Sequence, residues 1–448
     1  MKLVILGGGG FRVPLVHQSL LSDPGRIVDE LVLHDLAGDR LRAIRAVLDQ
    51  QAAGRAWRPR VRATTDLAEA LSGADVVFSA IRVGGLHGRC VDERVALAQG
   101  LIGQETVGLG GICYALRTVP VALKIARKIA ALAPDAWVIN FTNPAGVITE
   151  AMSSVLGDRV IGICDSPVGL CRRVAGALGL PFQDLRFDYL GLNHLGWLRA
   201  VWAGDDNRLP ELLSDEAALT SFEEGKLFGP NLLRALGAIP NEYLHYYYFR
   251  RETLQQMRQQ HVTRGQFLRT QQQSFYLRVE DAPDVALRTW QATRAERDST
   301  YLAEARAVAG AEERQACDVD GGGYEQVALA LMAALMTDRP STQILNVRAG
   351  GAVPGMDENA VVEIPCTVDA KGPRPVPVAT VDHHSLGLMH QVRAAERAAI
   401  RAATTRSREQ ALYAMVTHPL VDSVAAAERA LDGYCRAFPE LADLARFR

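Results

Sequence analysis

Lysine is nearly absent from this chain of 448 residues: only five of its 49 basic residues are lysines (Lys2, Lys124, Lys128, Lys226 and Lys371), and the rest are arginines. Nor does one sign of charge prevail. The 49 basic residues face 51 acidic ones, for a formal net charge of −2, so no global field draws the chain to nucleic acid or an anionic membrane. No run approaches the ~20 apolar residues of a membrane helix. The apolar opening at 1–6 is too short for a signal-peptide core and lacks a cleavage site. The seven cysteines (Cys90, Cys113, Cys164, Cys171, Cys317, Cys366, Cys435) are odd in number and irregularly spaced. A chain of this length builds a core without staples, so free thiols and a reducing, cytoplasmic setting are expected. Hydrophobic residues at 48% and charged residues at 22% exclude disorder and fibres.

What is present is an alternation. Short β-branched runs at 2–6, 30–34, 61–64, 75–80, 137–141 and 159–163 are separated by amphipathic stretches such as 41–51 and 114–132. That spacing predicts an α/β fold, a Rossmann-like doubly wound parallel sheet that binds ligands at its carboxyl ends. Beyond residue 167 the pattern changes. A strand at 186–190 leads into Asn193-His194, and long Arg- and Gln-rich helical segments follow at 211–235 and 243–310. A glycine knot (Gly321-Gly322-Gly323), a helix at 324–336, strands at 343–347 and 361–365, a Pro-rich turn at 372–377 and closing helices over 385–432 complete it. The expected organisation is a dinucleotide-binding domain over 1–167, with a mixed α+β, largely helical substrate and oligomerisation domain over 168–448 packed against it.

Gly7-Gly8-Gly9-Gly10 follows the first strand directly, then Phe11-Arg12. Glycines there permit a tight turn and bring backbone N–H groups to a pyrophosphate at a helix N-terminus. The strict G-x-G-x-x-G pattern fails, since its third glycine would fall on Arg12 or Val13. Strand two ends in His34-Asp35, and an acid at that position accepts from a ribose 2′-hydroxyl and repels a 2′-phosphate, which favours NAD over NADP. A long glycine-rich segment after strand four carries Arg82 and Arg89, either an anion grip or solvated surface, and then Gly103-Gln104-Glu105-Thr106. Asn143-Pro144 ends strand five, where turn chemistry accounts for the pair as well as an amide aimed into a crevice does. Cys164-Asp165 and Asn193-His194 close two further strands. On spacing alone, Cys164 reads as a buried thiol and His194 as a satisfied core histidine.

Taken together and in this order, the blocks resemble glycoside hydrolase family 4, the NAD- and Mn²⁺-dependent glycosidases. They run through Arg-x-Gly-Gly-Leu-x-Gly-Arg, Gly-Gln-Glu-Thr, Asn-Phe-Thr-Asn-Pro, Cys-Asp-x-Pro and Gly-Leu-Asn-His. They continue in Pro240-Asn241-Glu242-Tyr243-Leu244, Thr263-Arg264-Gly265, Asn346-Val347-Arg348 and Glu363-Ile364-Pro365-Cys366. The likeness is greatest to the 6-phospho-β-glucosidases of the family. This family departs from the two-carboxylate scheme of most glycosidases. The resemblance implies that NAD takes a hydride from C3 of the sugar, a tyrosine removes the acidified C2 proton, and the aglycone leaves. Water then adds, and the ketone is reduced again. It implies Cys164 and His194 as ligands of a divalent metal, expected to be Mn²⁺, and Tyr243 as the base. It further implies Arg89, Asn143, Asn193 and Arg264 as substrate contacts, and the glycine turn through Phe11 and Arg12 with Asp35 as the NAD site.

One position departs from the β pattern. Asp165 follows the metal cysteine, as in the 6-phospho-α-glucosidases, where it protonates the leaving group; it is therefore a second catalytic candidate. The expected substrate is a phosphorylated disaccharide or an aryl glucoside 6-phosphate, with a 6-phospho-α-glucosidase as the alternative. A relative acting on unphosphorylated sugars, a 2-hydroxyacid dehydrogenase and a non-catalytic nucleotide sensor stand further off. A homodimer or homotetramer is expected from the resemblance.

Overall fold

In the computed structural model, which describes residues 1–310 and 323–445, the first four apolar runs fold into parallel strands: β1 (Lys2–Leu6), β2 (Glu30–His34), β3 (Arg60–Thr64) and β4 (Val76–Ser79). With β5 (Trp137–Asn140) and β6 (Val160–Gly162) they line up in the order 3-2-1-4-5-6, the Rossmann order. β1 is buried along nearly its whole length, as a central parallel strand with helices on both faces requires. β3 alternates charged and apolar residues because it is the sheet edge. The order reverses between β1 and β4, and the crevice beyond that reversal is where such sheets take ligands.

The sheet then continues antiparallel through β7 (Leu185–Leu192), β8 (Leu195–Ala203), β9 (Asp206–Asn207), β10 (Ile239–Pro240), β11 (Ser341–Arg348), β12 (Val361–Asp369) and β13 (Gly372–Pro375). β11 joins β6 through Asn346 and Gly162, and β12 joins β7 through Glu363 and Gly191. β8 does not follow from the sequence pattern. It is buried on both faces, so it lacks the alternation that marks a half-exposed strand. The Pro-rich segment expected as a turn is instead the strand β13, which pairs only with β12 and so accepts prolines that donate nothing. The helical segments at 211–235 and 243–310 are each broken into several helices. Gly321, Gly322 and Cys317 lie outside the described residues.

Two apolar clusters sandwich the sheet. One joins the helices Val13–Ser22 and Gly38–Ala52 to Ala286–Ser299 and Tyr324–Thr337. The other joins Gly108–Leu132 and Ala145–Leu156 to the last helices, His383–Thr405, Arg408–Thr417 and Val424–Ala437. Contrary to the expectation that no segment is long and apolar enough to cross a membrane, the helix Gly108–Leu132 meets that length and composition. Of its most apolar 18-residue stretch, 83% is buried inside the protein. Core packing accounts for its apolarity.

Candidate active site

The carboxyl ends of β1, β2, β4, β5 and β6 and the β7–β8 turn open onto one cleft of about 1310 Å³. At its floor the glycine turn is set by backbone geometry. Gly7 has φ +83°, and a Cβ there would lie 2.5 Å from the carbonyl oxygen of Ala80. The amides of Gly7 and Gly8 donate to the carbonyl of His34 at 2.9 and 2.8 Å. The Gly9 amide donates to Asp35 Oδ2 at 3.0 Å, and that of Ala37 to Asp35 Oδ1 at 3.1 Å. Asp35 thus locks the turn to strand two while still facing the cleft. Gly7, Gly10, Phe11, Arg12 and Asp35 line it; Gly8 and Gly9 do not.

Residues far along the chain clamp this turn. The Tyr276 hydroxyl donates to Gly9 O (2.7 Å), Trp290 Nε1 to Phe11 O (2.8 Å) and the Tyr324 hydroxyl to Arg12 O (2.8 Å). The Phe11 ring is a packing group, edge-on to Phe275 at 5.2 Å, and its truncation would cost ~3–5 kcal/mol. Arg12 crosses to the other wall, 3.6 Å from Asp165 and against the rings of Phe141 and Tyr324. Burial opposes its charge, but Asp165 and Tyr324 more than offset this and raise its pKa.

The thiol and imidazole that sequence spacing left as core groups both line this cleft. His194 occupies a two-residue turn between the paired Leu192 and Leu195. Its φ is +63°, a conformation that a non-glycine residue adopts only when its surroundings impose it. Asn193 imposes part of it: its Oδ1 accepts from the Ala145 amide at 3.2 Å, and its Nδ2 donates to Glu363 Oε1 at 3.3 Å. The imidazole Nδ1 lies 2.9 Å from Thr106 Oγ1. Thr106 Oγ1 also lies 2.9 Å from Gln104 Oε1, which takes the Val107 amide at 2.9 Å as well. A partner on Nδ1 leaves Nε2 as the nitrogen for the cleft, the usual arrangement behind a metal-bound histidine. Burial lowers the His194 pKa to about 4, and the ring is neutral. The Cys164 thiol is pushed well up by burial and then by Glu363.

Among the described residues no group of three or more His, Cys, Asp or Glu side chains forms a closed metal cage. Cys164 and His194 offer one soft and one borderline donor, which suits a catalytic site that leaves positions open for other oxygens. Asn143 Oδ1 is buried in the same cleft with no hydrogen-bond partner among the described residues. The residues present therefore fit a cation and an oxygen-rich ligand.

Tyr243 follows Asn241, whose Oδ1 accepts from the Tyr243 amide at 2.8 Å. Burial and then Glu242 push the phenol pKa well up, and the hydrogen bond from Tyr301 opposes them. Arg89, a cation close enough to act on this phenol, is engaged elsewhere. Arg89 binds Glu93 at 2.8 Å and Glu105 at 2.6 Å, and Arg82 also binds Glu105. The anion these two arginines grip is thus Glu105. Although burial would raise its pKa, Arg82 and Arg89 bring it down to about 2.

Arg264 differs. It donates to Thr300 Oγ1 at 2.5 Å and to the Arg297 carbonyl at 2.8 Å, with no carboxylate partner among the described residues. Burial, then Arg89, lowers its pKa to about 10. Beside it, burial, then Arg12, lowers that of Arg297 to about 9, and its nearest carboxylate, Asp298, is 4.0 Å away. These two cations face the cleft undercompensated. Arg297 and Tyr301 carry no motif in the sequence. Thr106 and Glu105 lay in a recognisable block without a stated role.

The family 4 glycosyl hydrolase model matches residues 2–180, and the model of that family's C-terminal domain matches residues 189–421. A 6-phospho-β-glucosidase of Escherichia coli (strain K12) is 31% identical over 436 residues, covering 94% of this chain and 92% of its own. A 6-phospho-β-glucosidase from Thermotoga maritima, solved with manganese, NAD⁺ and glucose-6-phosphate, is 25% identical. It covers 98% of this chain and 99% of that one with a TM-score of 0.82. A 6-phospho-α-glucosidase from gut microorganisms, solved with NAD and Mn²⁺, is 25% identical over 97% of each chain with a TM-score of 0.78. Both halves of the chain thus match a glycosidase built on a Rossmann-like sheet. The chain belongs to glycoside hydrolase family 4.

Proposed function

We propose that this chain is an NAD- and Mn²⁺-dependent 6-phospho-β-glucosidase acting on phosphorylated disaccharides or aryl glucoside 6-phosphates. The observation that carries the reading is the joining of the glycine turn, the Cys164–His194 pair, Tyr243 and two undercompensated arginines in one cleft. When bound, the dinucleotide supplies a reversible hydride acceptor for C3 and the cation a charge beside the sugar oxygens. The glycine turn and Asp35 would hold the first, and Cys164 with His194 Nε2 the second. Tyr243 takes the C2 proton and later returns it. Arg264 and Arg297 bind the phosphate dianion, whose charge offsets the mutual repulsion of the two guanidiniums. Asn143 Oδ1 accepts from a sugar hydroxyl, while Asn193 braces the His194 turn. Arg89 borders the same site.

The β preference is supported by the E. coli relative and the T. maritima structure. Asp165 favours a second reading, a 6-phospho-α-glucosidase in which its carboxyl protonates the leaving oxygen; it lies next to Cys164 and is ion-paired with Arg12. A cytoplasmic location is supported by the six described cysteines, all free thiols. A homodimer or homotetramer belongs to the same proposal and is read by sedimentation.

The test compares aryl 6-phospho-β-glucoside, its α anomer and the unphosphorylated β-glucoside, each with NAD⁺ and Mn²⁺. Turnover of the phosphorylated β anomer without net NADH is expected. Turnover of the α anomer alone moves the assignment to the second reading, and indifference to phosphate overturns both.

A further inference from the structure

One buried carboxylate joins two helices that lie far apart in the chain. Glu93, on the helix Gly85–Ala98, is 1% exposed. Its Oε1 accepts from Arg89 Nε at 2.8 Å, one turn back on the same helix, and its Oε2 accepts from the Gly265 amide at 2.7 Å. Gly265 is the second residue of the helix Arg264–Asp281, 172 positions further on. That helix already closes its own N-terminus: Thr263 Oγ1 accepts from the Gln266 amide at 3.3 Å, and Gln266 Oε1 from the Thr263 amide at 2.9 Å. Glu93 takes a donor that this capping box leaves open, at the helix end where negative charge is favoured.

Arg264 is thereby held at both ends. The Glu93 contact pins its backbone through the next amide, while Thr300 Oγ1 and the Arg297 carbonyl hold its guanidinium. Arg89 and Arg264 repel one another: after burial, Arg89 is the main cause of the low Arg264 pKa, and Glu93 opposes it. The contact leaves no room for a side chain on the second helix. A Cβ on Gly265 would lie 2.7 Å from Glu93 Oε2 and 3.0 Å from Arg89 Cγ.

We propose that Glu93 is a positioning residue for the phosphate site, fixing the start of the Arg264 helix against Arg89 so that the Arg264 guanidinium is in place before the substrate arrives. The inference rests on the reading in which Arg264 binds the substrate phosphate. Glu93 itself does not line the cleft and acts only through Arg264. Both of its oxygens are needed as acceptors. A glutamine keeps one of the two bonds, because the NH₂ of its amide is a donor facing another donor. Placement is what such a contact supplies, since an error of ~1 Å in a binding constellation costs up to ~10²-fold.

The experiment measures binding of glucose 6-phosphate to the full chain loaded with NAD⁺ and Mn²⁺, by calorimetry, with Mn²⁺ affinity as the control. Glu93→Gln and Gly265→Ala should each weaken glucose 6-phosphate binding by ~10-fold or more, with Mn²⁺ affinity within a few-fold of the wild type. Gly265→Ala displaces the carboxylate by its methyl group alone, and alanine is the better helix former, so it carries the test if Glu93→Gln fails to fold. Combining Glu93→Gln with Arg264→Met should weaken binding no further than Arg264→Met does. Weak binding in Arg264→Met with wild-type affinity in Glu93→Gln and Gly265→Ala overturns the positioning role alone. Additive losses in the combined variant, or an equal loss of Mn²⁺ affinity, overturn it too. Undiminished binding in Arg264→Met overturns the phosphate assignment of Arg264 and the positioning role with it.

Discussion

The imidazole of His194 lies flat on the phenol ring of Tyr243, with centroids 3.6 Å apart and 4° between the planes. One ring is held by a β-turn and the other by a short helical turn 49 positions on. The stack sets the imidazole and the phenol side by side in the cleft. It also separates two functions by substitution. Tyr243→Phe keeps the stack and removes the hydroxyl, so Mn²⁺ affinity should stay within a few-fold. Turnover should fall by at least ~10²-fold. Mn²⁺ titration followed by electron paramagnetic resonance, beside steady-state kinetics, reads both.

Thr106→Val should act on the metal alone. It removes the partner of His194 Nδ1, and loss of such a supporting partner costs ~10–100-fold in metal affinity. The same Mn²⁺ titration measures it, with NAD⁺ affinity by fluorescence as the control expected not to move.

Cys164→Ser should lose metal-dependent activity while the glycine turn, built from backbone contacts to His34 and Asp35, still binds NAD⁺. Calorimetry with NAD⁺ and with Mn²⁺ should show the first binding event kept and the second lost. Full activity after this change would remove the thiol from the metal site.

Arg264→Met and Arg297→Met should each raise KM for the phosphorylated substrate while leaving any turnover of the unphosphorylated glucoside unchanged. A hydrogen bond to a charged group is worth ~1.5–3 kcal/mol, which corresponds to roughly 10–150-fold. The melting temperature should not fall, because each change relieves repulsion between half-buried cations.

Acid should destabilise the fold through His245. This ring is fully buried, stacked on Phe249 at 4.6 Å, and burial lowers its pKa to about 4 from 6.5. Because the unfolded chain takes up the proton first, the stability from the neutral ring is complete above 6.5 and is lost as pH falls toward 4. The slope is ~1.4 kcal/mol per pH unit. Urea unfolding between pH 7 and 4.5 should show it, with a shallower slope for His245→Phe, which keeps a flat ring without a titrating nitrogen.

How much of this was legible in the sequence varies with distance along the chain. β1, β2 and the glycine turn were readable because their signals are local: a β-branched run, then residues without a side chain. β8 was not, since burial on both faces erases the alternation that marks a strand. The thiol and imidazole show the same limit. Thirty positions separate Cys164 from His194, and nothing in that interval says they share a cleft; only the family resemblance paired them. Arg297 and Tyr301 had no local mark, and Thr106 lay in a recognisable block that named no role for it.

Composition and periodicity were thus enough to establish the Rossmann half and where its ligand crevice opens, because a parallel sheet with helices on both faces constrains each segment independently. The family blocks added the chemistry by likeness. The partners that decide charge, the Glu105 clamp on Arg82 and Arg89, the undercompensated Arg264 and Arg297, and the contact of Thr106 with His194, came only with the folded chain. Electrostatic and hydrogen-bond energies depend on separations of a few ångströms and on burial, and residues tens of positions apart acquire both only when the sheet and its helices close around the cleft.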